Sequence, residues 1–319
     1  MHVRRVVFLT IFAYLALIGA AGILLCDGAL HPMRRPLTSS DQAQGREMAE
    51  RHHATLQDAS ISSGDKVTLH AWLLTPRNPN GNAVILLHGL SDNRIGMTGY
   101  AELMLEHHYA VLLPDARAHG ASGGALATYG LLERNDIRQW FEWLTKHLQS
   151  ACVYGLGESM GAAQLLQATG ESHFCAVAAE SPFSNFHEIA YDRVGQFIHT
   201  GPWLGRTLFR PVIELAFAYG RWKYDLDLSA VSPESTVAVT TTPILLIHGQ
   251  KDGNIPVRHS ERIAVRNPKI VLWEIPHTDH CGAISTAREE FESRVIAWFE
   301  EHRRPVPDCL TLSRPTAKC

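Results

Sequence analysis

A serine between two glycines is the feature of this 319-residue sequence best suited to covalent chemistry. Residues 157–161 read GESMG, and the apolar segment CVYGL precedes them while AAQLLQA follows. The pattern G-x-S-x-G between a strand and a helix is typical of a sharp turn that presents the serine hydroxyl above a sheet. Ser159 is therefore predicted to be a nucleophile. The alternative is that Ser159 only caps a glycine-rich helix entry.

A histidine later in the chain is predicted to activate this serine, because a serine hydroxyl is a poor nucleophile until a base removes its proton. His280 lies in a polar loop after the last strand-like segment, in the sequence IVLWEIPHTDH. His277 in the same loop is the alternative base. The chain holds 18 histidines, so residue type alone does not identify the base. The position of His280 after the last strand is what selects it.

An acid that orients the base is predicted at Asp252, which follows the apolar segment PILLIHG in the sequence GQKDG. A carboxylate there would fix the histidine tautomer and stabilise the imidazolium. The chain order Ser159, Asp252, His280 gives nucleophile, acid and base in the order expected for a strand-turn-helix nucleophile. Alternative acids in the neighbouring sequence are Asp225, Asp227 and Asp279.

Two backbone amides are predicted to bind the anion that develops on an attacked carbonyl. One belongs to Met160, directly after the nucleophile. The other belongs to Leu90, in the loop that follows His88 and Gly89. Because both groups are backbone N–H, their side chains carry little information, and this assignment depends on the fold.

Short apolar runs alternate with helical stretches through the body of the chain. A hairpin is predicted from residues 54–61 and 67–74. Further strands are predicted at 83–87, 110–113, 152–154, 176–179, 244–247 and 270–273. Helices are predicted at 98–108, 133–148, 161–168, 257–265 and 286–302. This alternation predicts an α/β fold with a mostly parallel central sheet flanked by helices. Polar residues follow the strand ends, which meet at one edge of such a sheet.

An insertion at about residues 182–242 separates two of these strands. Its segments FHEIAYDRVGQFIH and LFRPVIELAFAYGRW have helical apolar spacing, which predicts a helical cap on the catalytic face. Its apolar side chains would line an acyl pocket or pack onto the sheet. These side chains are Phe186, Ile189, Val194, Phe197, Trp203, Leu208 and Phe209.

Charge and motif content exclude several classes of protein. Lys and Arg number 29 against 32 Asp and Glu, a net charge of −3, so the chain lacks the basic excess of a nucleic-acid binder. It contains no HExxH and no CxxC, and we expect neither a metal site nor a cofactor. The expected partner is a small acyl substrate, and the oligomeric state is not predicted.

An uncharged apolar run at the N-terminus predicts membrane attachment. Residues 6–26, about 21 in number, are enough to cross a bilayer core of about 30 Å. Residues 1–29 are predicted to form an uncleaved signal anchor, and residues 30–53 a polar linker. Arg4 and Arg5 favour a cytoplasmic N-terminus and a body outside the cytoplasm, although Arg34 and Arg35 weaken this bias. The alternatives are a cleaved signal, which would give a secreted protein, and a buried core helix.

Six cysteines in so long a chain are too few for a disulfide scaffold. Cys152 and Cys175 lie in apolar strand-like runs and are predicted to be buried thiols. If the body lies outside the cytosol, Cys309 and Cys319 of the tail, residues 303–319, could pair with each other. The alternative is that this Pro-rich tail stays disordered.

Several motifs resemble those of one known superfamily. HGLSDNR, DARAHGASGG, GESMG, GQKDGNIP and HTDHCG are similar to segments of the α/β-hydrolase superfamily, in particular its serine-hydrolase and esterase-like branch. That branch includes acylaminoacyl-peptidase-like and BEM46-like membrane-tethered proteins. The resemblance covers about residues 54–302 and implies the same triad and oxyanion roles. Ala118 and Asp279 stand where relatives usually carry Gly, and His119 is expected to be structural.

The expected activity is hydrolysis through an acyl-enzyme on Ser159. An ester is the preferred substrate, since no motif resembles a pocket for a peptide amino terminus and a membrane anchor would bring the enzyme to lipid-derived esters. A peptidase with the same triad is the first alternative. A non-catalytic, membrane-tethered binding protein is the second.

Overall fold

The computed structural model describes residues 2–304 and contains one eight-stranded sheet with helices on both faces. The strands are β1 (Ala54–Ser62), β2 (Thr68–Pro76), β3 (Asn82–Leu87), β4 (Ala110–Pro114), β5 (Cys152–Glu158), β6 (Val177–Glu180), β7 (Ile244–Gly249) and β8 (Val271–Ile275). The first six helices are α1 (His2–Leu30), α2 (Ser39–Arg51), α3 (Thr98–Glu106), α4 (Glu133–Leu148), α5 (Ser159–Ala168) and α6 (Phe186–Phe197). They are followed by α7 (Pro202–Arg206), α8 (Arg210–Tyr224), α9 (Pro233–Val237), α10 (Arg258–Ala264), α11 (Ala283–Thr286) and α12 (Arg288–Glu301).

The strand order is β1-β2-β4-β3-β5-β6-β7-β8. β1 and β2 form the predicted hairpin at one edge, and β2 joins β4 antiparallel, whereas all later neighbours are parallel. Every residue of β3, β4, β6 and β7 is buried. Such strands need a helix layer on each face, which is why their sequences are apolar without alternation. The predicted α/β fold with a mostly parallel sheet is confirmed.

Two apolar layers hold the helices on the sheet. On one face, α2, α3 and α12 pack onto the strands, with Phe291, Val295 and Phe299 fully buried. On the other face, α4, α5 and α10 pack around Trp140 and Leu165. Because the sheet is covered on both sides, the polar loops gather at its edges. The loops after β3, β5, β7 and β8 all leave the carboxyl edge.

Part of the predicted linker is a packed helix. The Thr38 hydroxyl accepts a hydrogen bond from the Asp41 amide, and the Asp41 side chain accepts one from the Thr38 amide, which makes a capping box at the start of α2. Met48 is fully buried, and a Cβ at Gly45 would lie 2.5 Å from the Trp72 ring. The linker expectation is therefore wrong over Ser39–Arg51, because Gly45, Met48 and Ala49 are buried and seat this polar segment on the sheet.

The prediction that Cys152 and Cys175 are free thiols is wrong, because the two form a disulfide bond. Cys152 opens β5, and Cys175 precedes β6, the parallel neighbour of β5. Strand pairing thus brings the two Cα atoms to 5.7 Å, within the range of a disulfide. Cys309 and Cys319 lie outside the described residues, so their pairing stays a prediction.

The insertion between β6 and β7 forms a cap of four helices, α6 to α9. A buried polar chain attaches it to the body. Asp192 on α6 accepts a hydrogen bond from His259 Nε2 at 2.7 Å, and His259 Nδ1 lies 3.0 Å from the Ser184 hydroxyl. His259 is fully buried, so this Ser-His-Asp chain is closed to any substrate and holds the cap in place.

The N-terminal apolar run is a single continuous helix. Residues 2–17 of α1 are exposed, whereas Gly22, Cys26 and Leu30 are buried against the body. Within residues 2–304, α1 is the one helix long and apolar enough to cross a membrane. An exposed apolar helix of this length is consistent with a membrane anchor or a signal sequence.

Candidate active site

The sharp turn that carries Ser159 is fixed by two glycines. Ser159 has φ +51°, a left-handed conformation that L-residues rarely adopt. A Cβ at Gly161 would lie 2.3 Å from the Leu87 carbonyl oxygen, and a Cβ at Gly157 would lie 2.8 Å from the Gly161 backbone. Only glycine fits at either position, so the GESMG sequence is what permits β5 to turn directly into α5 above the sheet.

The loops after β5, β7 and β8 bring the three predicted side chains together. His280 Nε2 lies 2.9 Å from Ser159 Oγ, and His280 Nδ1 lies 2.8 Å from Asp252 Oδ2. These distances are those of hydrogen bonds, and the three groups form one continuous chain. The imidazole is one-fifth exposed, whereas the Asp252 side chain is fully buried.

Four donors hold the buried Asp252 carboxylate. Its Oδ1 accepts hydrogen bonds from the amides of Asn254 and Ile255, at 2.9 and 2.8 Å. Its Oδ2 faces His280 and also His248 Nε2, which lies 3.2 Å away. Burial opposes ionisation of Asp252, but the hydrogen bonds from His248 and His280 outweigh it and hold the pKa of the carboxyl well below its usual range. Asp252 is thus an anion that fixes the direction of the His280 ring.

A buried histidine locks the loop that carries Leu90. His88 Nε2 accepts a hydrogen bond from the Ala116 amide at 3.0 Å, which leaves Nδ1 to donate to the Gly89 carbonyl at 2.8 Å. Burial lowers the pKa of His88, which keeps the ring in this neutral tautomer. Leu90 and Met160 both line the pocket into which Ser159 opens, so both predicted oxyanion amides belong to residues beside the nucleophile.

The alternative base and acids make no hydrogen bond to the side chains of Ser159 and His280. His277 is exposed. Asp279 Oδ1 accepts hydrogen bonds from the His280 and Gly253 amides and so shapes the loop without touching the imidazole nitrogens. Asp227 pairs with Arg221 on the cap surface. His119 is buried, with its ring centroid 5.3 Å from that of His88 and Nδ1 at the Arg117 carbonyl, as a structural residue would be.

One departure from the superfamily pattern has a conformational basis. Ala118 has φ +61°, the left-handed region in which glycine is favoured. Its amide donates to the Gly123 carbonyl at 2.8 Å, so the loop keeps its turn with alanine in that place. None of the triad contacts involves this position.

An apolar pocket opens at Ser159. The cap contributes Phe186 and Ile189, as predicted, together with Ala216 and Phe217. The other predicted pocket residues do not line it: Phe197, Trp203 and Leu208 are exposed, and Val194 and Phe209 are half-buried elsewhere in the cap. These residues lie on other faces of the cap. Helical spacing alone does not indicate which apolar face of a cap helix borders the pocket.

The remaining wall of this pocket was not predicted from the sequence. Leu25, Cys26 and Ala29, near the end of α1, line it together with the cap residues. Leu228 and Ile255 complete the apolar lining. A terminal apolar run carries no signal that its last turns fold back onto the body.

Two carboxyl groups near Ser159, Glu180 buried and Glu158 half-buried, were also missed. The Tyr100 hydroxyl lies 2.8 Å from Glu180 Oε2 and 3.4 Å from Glu158 Oε2, so it joins both groups. Burial, followed by the neighbouring Glu180 charge, raises the pKa of Glu158 to about 7. The Ala283 amide donates to Glu180 Oε1 at 2.8 Å, which ties the pair to the His280 loop. The only sequence signal was the position of Glu158 directly before Ser159.

Comparison with known proteins agrees with this architecture. The profile of the Alpha/beta hydrolase family matches residues 84–294. The uncharacterized protein YqkD of Bacillus subtilis (strain 168) is 28% identical over 226 residues, which cover 69% of this chain and 71% of YqkD. The uncharacterized peptidase YuxL of the same strain is 20% identical over 275 residues, or 77% of this chain and 39% of YuxL.

Solved structures share the fold. Esterase Pf2001 of Pyrococcus furiosus superposes with a TM-score of 0.67 at 24% identity, covering 85% of this chain and 98% of the esterase. The acylaminoacyl peptidase of Pyrococcus horikoshii gives a TM-score of 0.61 at 16% identity, covering 86% of this chain and 45% of the peptidase. The family profile extends over most of the chain, and a carboxyl-edge loop carries the sharp G-x-S-x-G turn of Ser159. The chain therefore belongs to the alpha/beta hydrolase family.

Proposed function

We propose that this hydrolase cleaves a carboxylic ester through an acyl-enzyme on Ser159. The observation that carries the proposal is the hydrogen-bonded chain from Ser159 through His280 to Asp252, which opens into an apolar pocket. A nucleophile, a base and a buried orienting carboxylate in this order are the groups that acyl transfer requires.

In the first half-reaction Ser159 Oγ attacks the ester carbonyl carbon while His280 Nε2 takes the hydroxyl proton. The Asp252 carboxylate accepts a hydrogen bond from Nδ1–H and stabilises the resulting imidazolium. Collapse of the tetrahedral intermediate breaks the bond to the alcohol oxygen, and His280 returns the proton to that oxygen. Water then attacks the acyl-enzyme with His280 as base again, which releases the carboxylic acid and restores Ser159.

The anion of each tetrahedral intermediate is assigned to the amides of Met160 and Leu90. The Met160 amide lies in the first turn of α5, where the helix dipole favours negative charge. The Leu90 amide is positioned by His88, which bridges the ends of β3 and β4. Preorganised donors of this kind commonly contribute a factor of about 10² or more to kcat.

An ester is favoured over a peptide because of what lines the pocket. Its residues are apolar apart from Ser159, Tyr129 and Arg193, and no carboxylate among the described residues lines it to bind a peptide amino terminus. The structural relative Pf2001 is named an esterase. The acylaminoacyl peptidase among the structural relatives keeps a peptidase activity as the second candidate.

We further propose that α1 anchors the enzyme in a membrane, with the N-terminus cytoplasmic and the body outside the cytoplasm. The exposed apolar turns of α1 and the preceding Arg4 and Arg5 support the anchor and its direction. The Cys152–Cys175 disulfide supports an oxidising compartment for the body, because cytosolic thiols are usually kept reduced.

A fluorophosphonate probe tests the nucleophile directly. We expect the full-length protein to be labelled and Ser159→Ala to remain unlabelled. The same pair is then compared on an arylamide and on a 4-nitrophenyl ester of one acyl group. Each rate is divided by the uncatalysed rate of the same substrate, because a 4-nitrophenyl ester is intrinsically more reactive than an arylamide. A larger rate enhancement on the ester supports the esterase, and a larger one on the amide favours the peptidase. Equal labelling of both proteins would remove Ser159 from the chemistry.

A further inference from the structure

The last turns of α1 lie in close backbone contact with the cap helix α8. A Cβ at Gly22 would lie 3.0 Å from the Val212 carbonyl oxygen, and a Cβ at Gly220 would lie 3.3 Å from Cys26 Sγ. Small residues on both helices permit this approach. Because later residues of α1 meet later residues of α8, the two helices run parallel.

Hydrogen bonds fix the end of α1 in this position. The Tyr224 hydroxyl donates to Asp27 Oδ1 at 2.7 Å, and the Tyr129 hydroxyl donates to the Ala29 carbonyl at 2.7 Å. The Ala127 amide donates to the Leu30 carbonyl at 2.9 Å. The end of the helix is therefore bonded to both the cap and the loop before α4, and its side chains have a defined place.

That place is beside the nucleophile. Leu25, Cys26 and Ala29 line the pocket of Ser159, as do the cap residues Phe186 and Ile189. Cys26 is 1% exposed and packs against α8. Leu25 and Ala29 are half-buried and border the space inside the pocket. An enzyme without α1 would have an open groove where this one has a walled pocket.

We propose that α1 is a wall of the acyl pocket and that Leu25 and Ala29 determine which acyl chains the pocket accepts. The proposal rests on the proposed esterase function and gives it a substrate class, esters with an apolar acyl chain of medium or greater length. An apolar wall stabilises such a chain in proportion to the area it removes from water, whereas an acetyl group is too short to gain from it. The same helix that is proposed to hold the enzyme in the membrane thereby selects its substrate.

The test is the ratio of kcat/KM for 4-nitrophenyl decanoate to kcat/KM for 4-nitrophenyl acetate, measured on full-length protein in detergent. Leu25→Trp fills the pocket, and we expect this ratio to fall at least tenfold. Leu25→Ala enlarges the pocket, and we expect its preferred chain to be longer than that of the unmodified enzyme in a series from acetate to palmitate. Leu24→Trp is the matched control, because Leu24 is 72% exposed and does not line the pocket, and its ratio should stay unchanged.

The two proposals fail in different ways. If no protein in the set hydrolyses either ester and none binds the fluorophosphonate probe, the esterase function is wrong. If the unmodified enzyme reacts with the probe but Leu25→Ala keeps the same chain preference as Leu24→Trp, the wall proposal is overturned while the esterase function stands. Leu25→Ala removes atoms only, so it gives a decision even if Leu25→Trp fails to fold.

Discussion

At the scale of single residues, the Asp252 carboxylate is the group whose charge the proposed chemistry needs most. Asp252→Asn keeps the shape of the side chain but removes the acceptor that fixes the His280 tautomer. We expect kcat for a 4-nitrophenyl ester to fall by about 10³-fold or more. Asp225→Asn is the control. Asp225 is the C-cap of α8 and makes no hydrogen bond to Ser159, His280 or Asp252, and asparagine tolerates its left-handed backbone conformation. Equal loss in both variants would contradict the orienting role.

Glu158 gives the stability of the fold a pH dependence. Its pKa is about 7 in the folded protein and near 4.5 when exposed, so its contribution to stability is full below about pH 4.5 and is lost as the pH rises through 7. Between pH 5 and pH 8 the unmodified protein should lose about 1–3 kcal/mol more unfolding free energy than Glu158→Gln does. Urea unfolding at both pH values measures this.

The matched control for Glu158 is Glu289→Gln, an exposed position on α12. It should leave the pH dependence as it is in the unmodified protein. Part of the dependence should survive in Glu158→Gln, because burial also raises the pKa of Glu180. A Glu158→Gln protein with the full original dependence would show that this carboxyl is ionised throughout.

At the scale of elements, the turn from β5 to α5 is predicted to tolerate no added carbon. In Gly161→Ala the new methyl would lie 2.3 Å from a backbone oxygen of β3, so the strand and the helix must separate. We expect a loss of more than about 2 kcal/mol of unfolding free energy, or no soluble protein. Gly28→Ala is the control, because Gly28 lies on an exposed face of α1 with no atom within 4 Å of the added Cβ, and it should not lower stability in the same denaturation assay.

Elements that depend on local sequence were predictable. β3, β4 and β7 were identified because buried parallel strands are apolar at every position, and the GESMG turn because its glycines are sterically required. The loop positions of Ser159 and His280 followed from the strand ends. Features that depend on contacts between distant parts of the sequence were not predictable. Neither the register of neighbouring strands nor the packing of a helix on the sheet can be read from a short stretch of residues.

Three particular features show this limit. The Cys152–Cys175 bond requires knowing that β5 and β6 are neighbours in register. α2 packs through Met48 and Gly45, which look like an ordinary polar stretch in the sequence. The α1 residues that line the pocket stand 130 to 134 positions before Ser159, and only the folded chain brings them together.

At the scale of the whole molecule, the proposed anchor and the disulfide predict on which side of the membrane the body lies. In sealed vesicles with the outer surface exposed, added protease should digest the body and leave a protected fragment that contains α1. The Cys152 and Cys175 thiols should react with an alkylating reagent only after reduction. A body that is protected until the vesicles are opened would place the hydrolase in the cytoplasm and overturn the proposed direction.

The proposed acyl-enzyme can be tested for directly. Full-length protein is mixed with a 4-nitrophenyl ester, quenched in acid within the first turnovers, digested and examined by mass spectrometry. We expect the acyl mass on the peptide that contains Ser159 and on no other, and its absence in Ser159→Ala. An ester that is hydrolysed by the unmodified protein at the same rate as by Ser159→Ala, or an acyl group carried on another residue, would contradict the nucleophile assigned to the turn between β5 and α5.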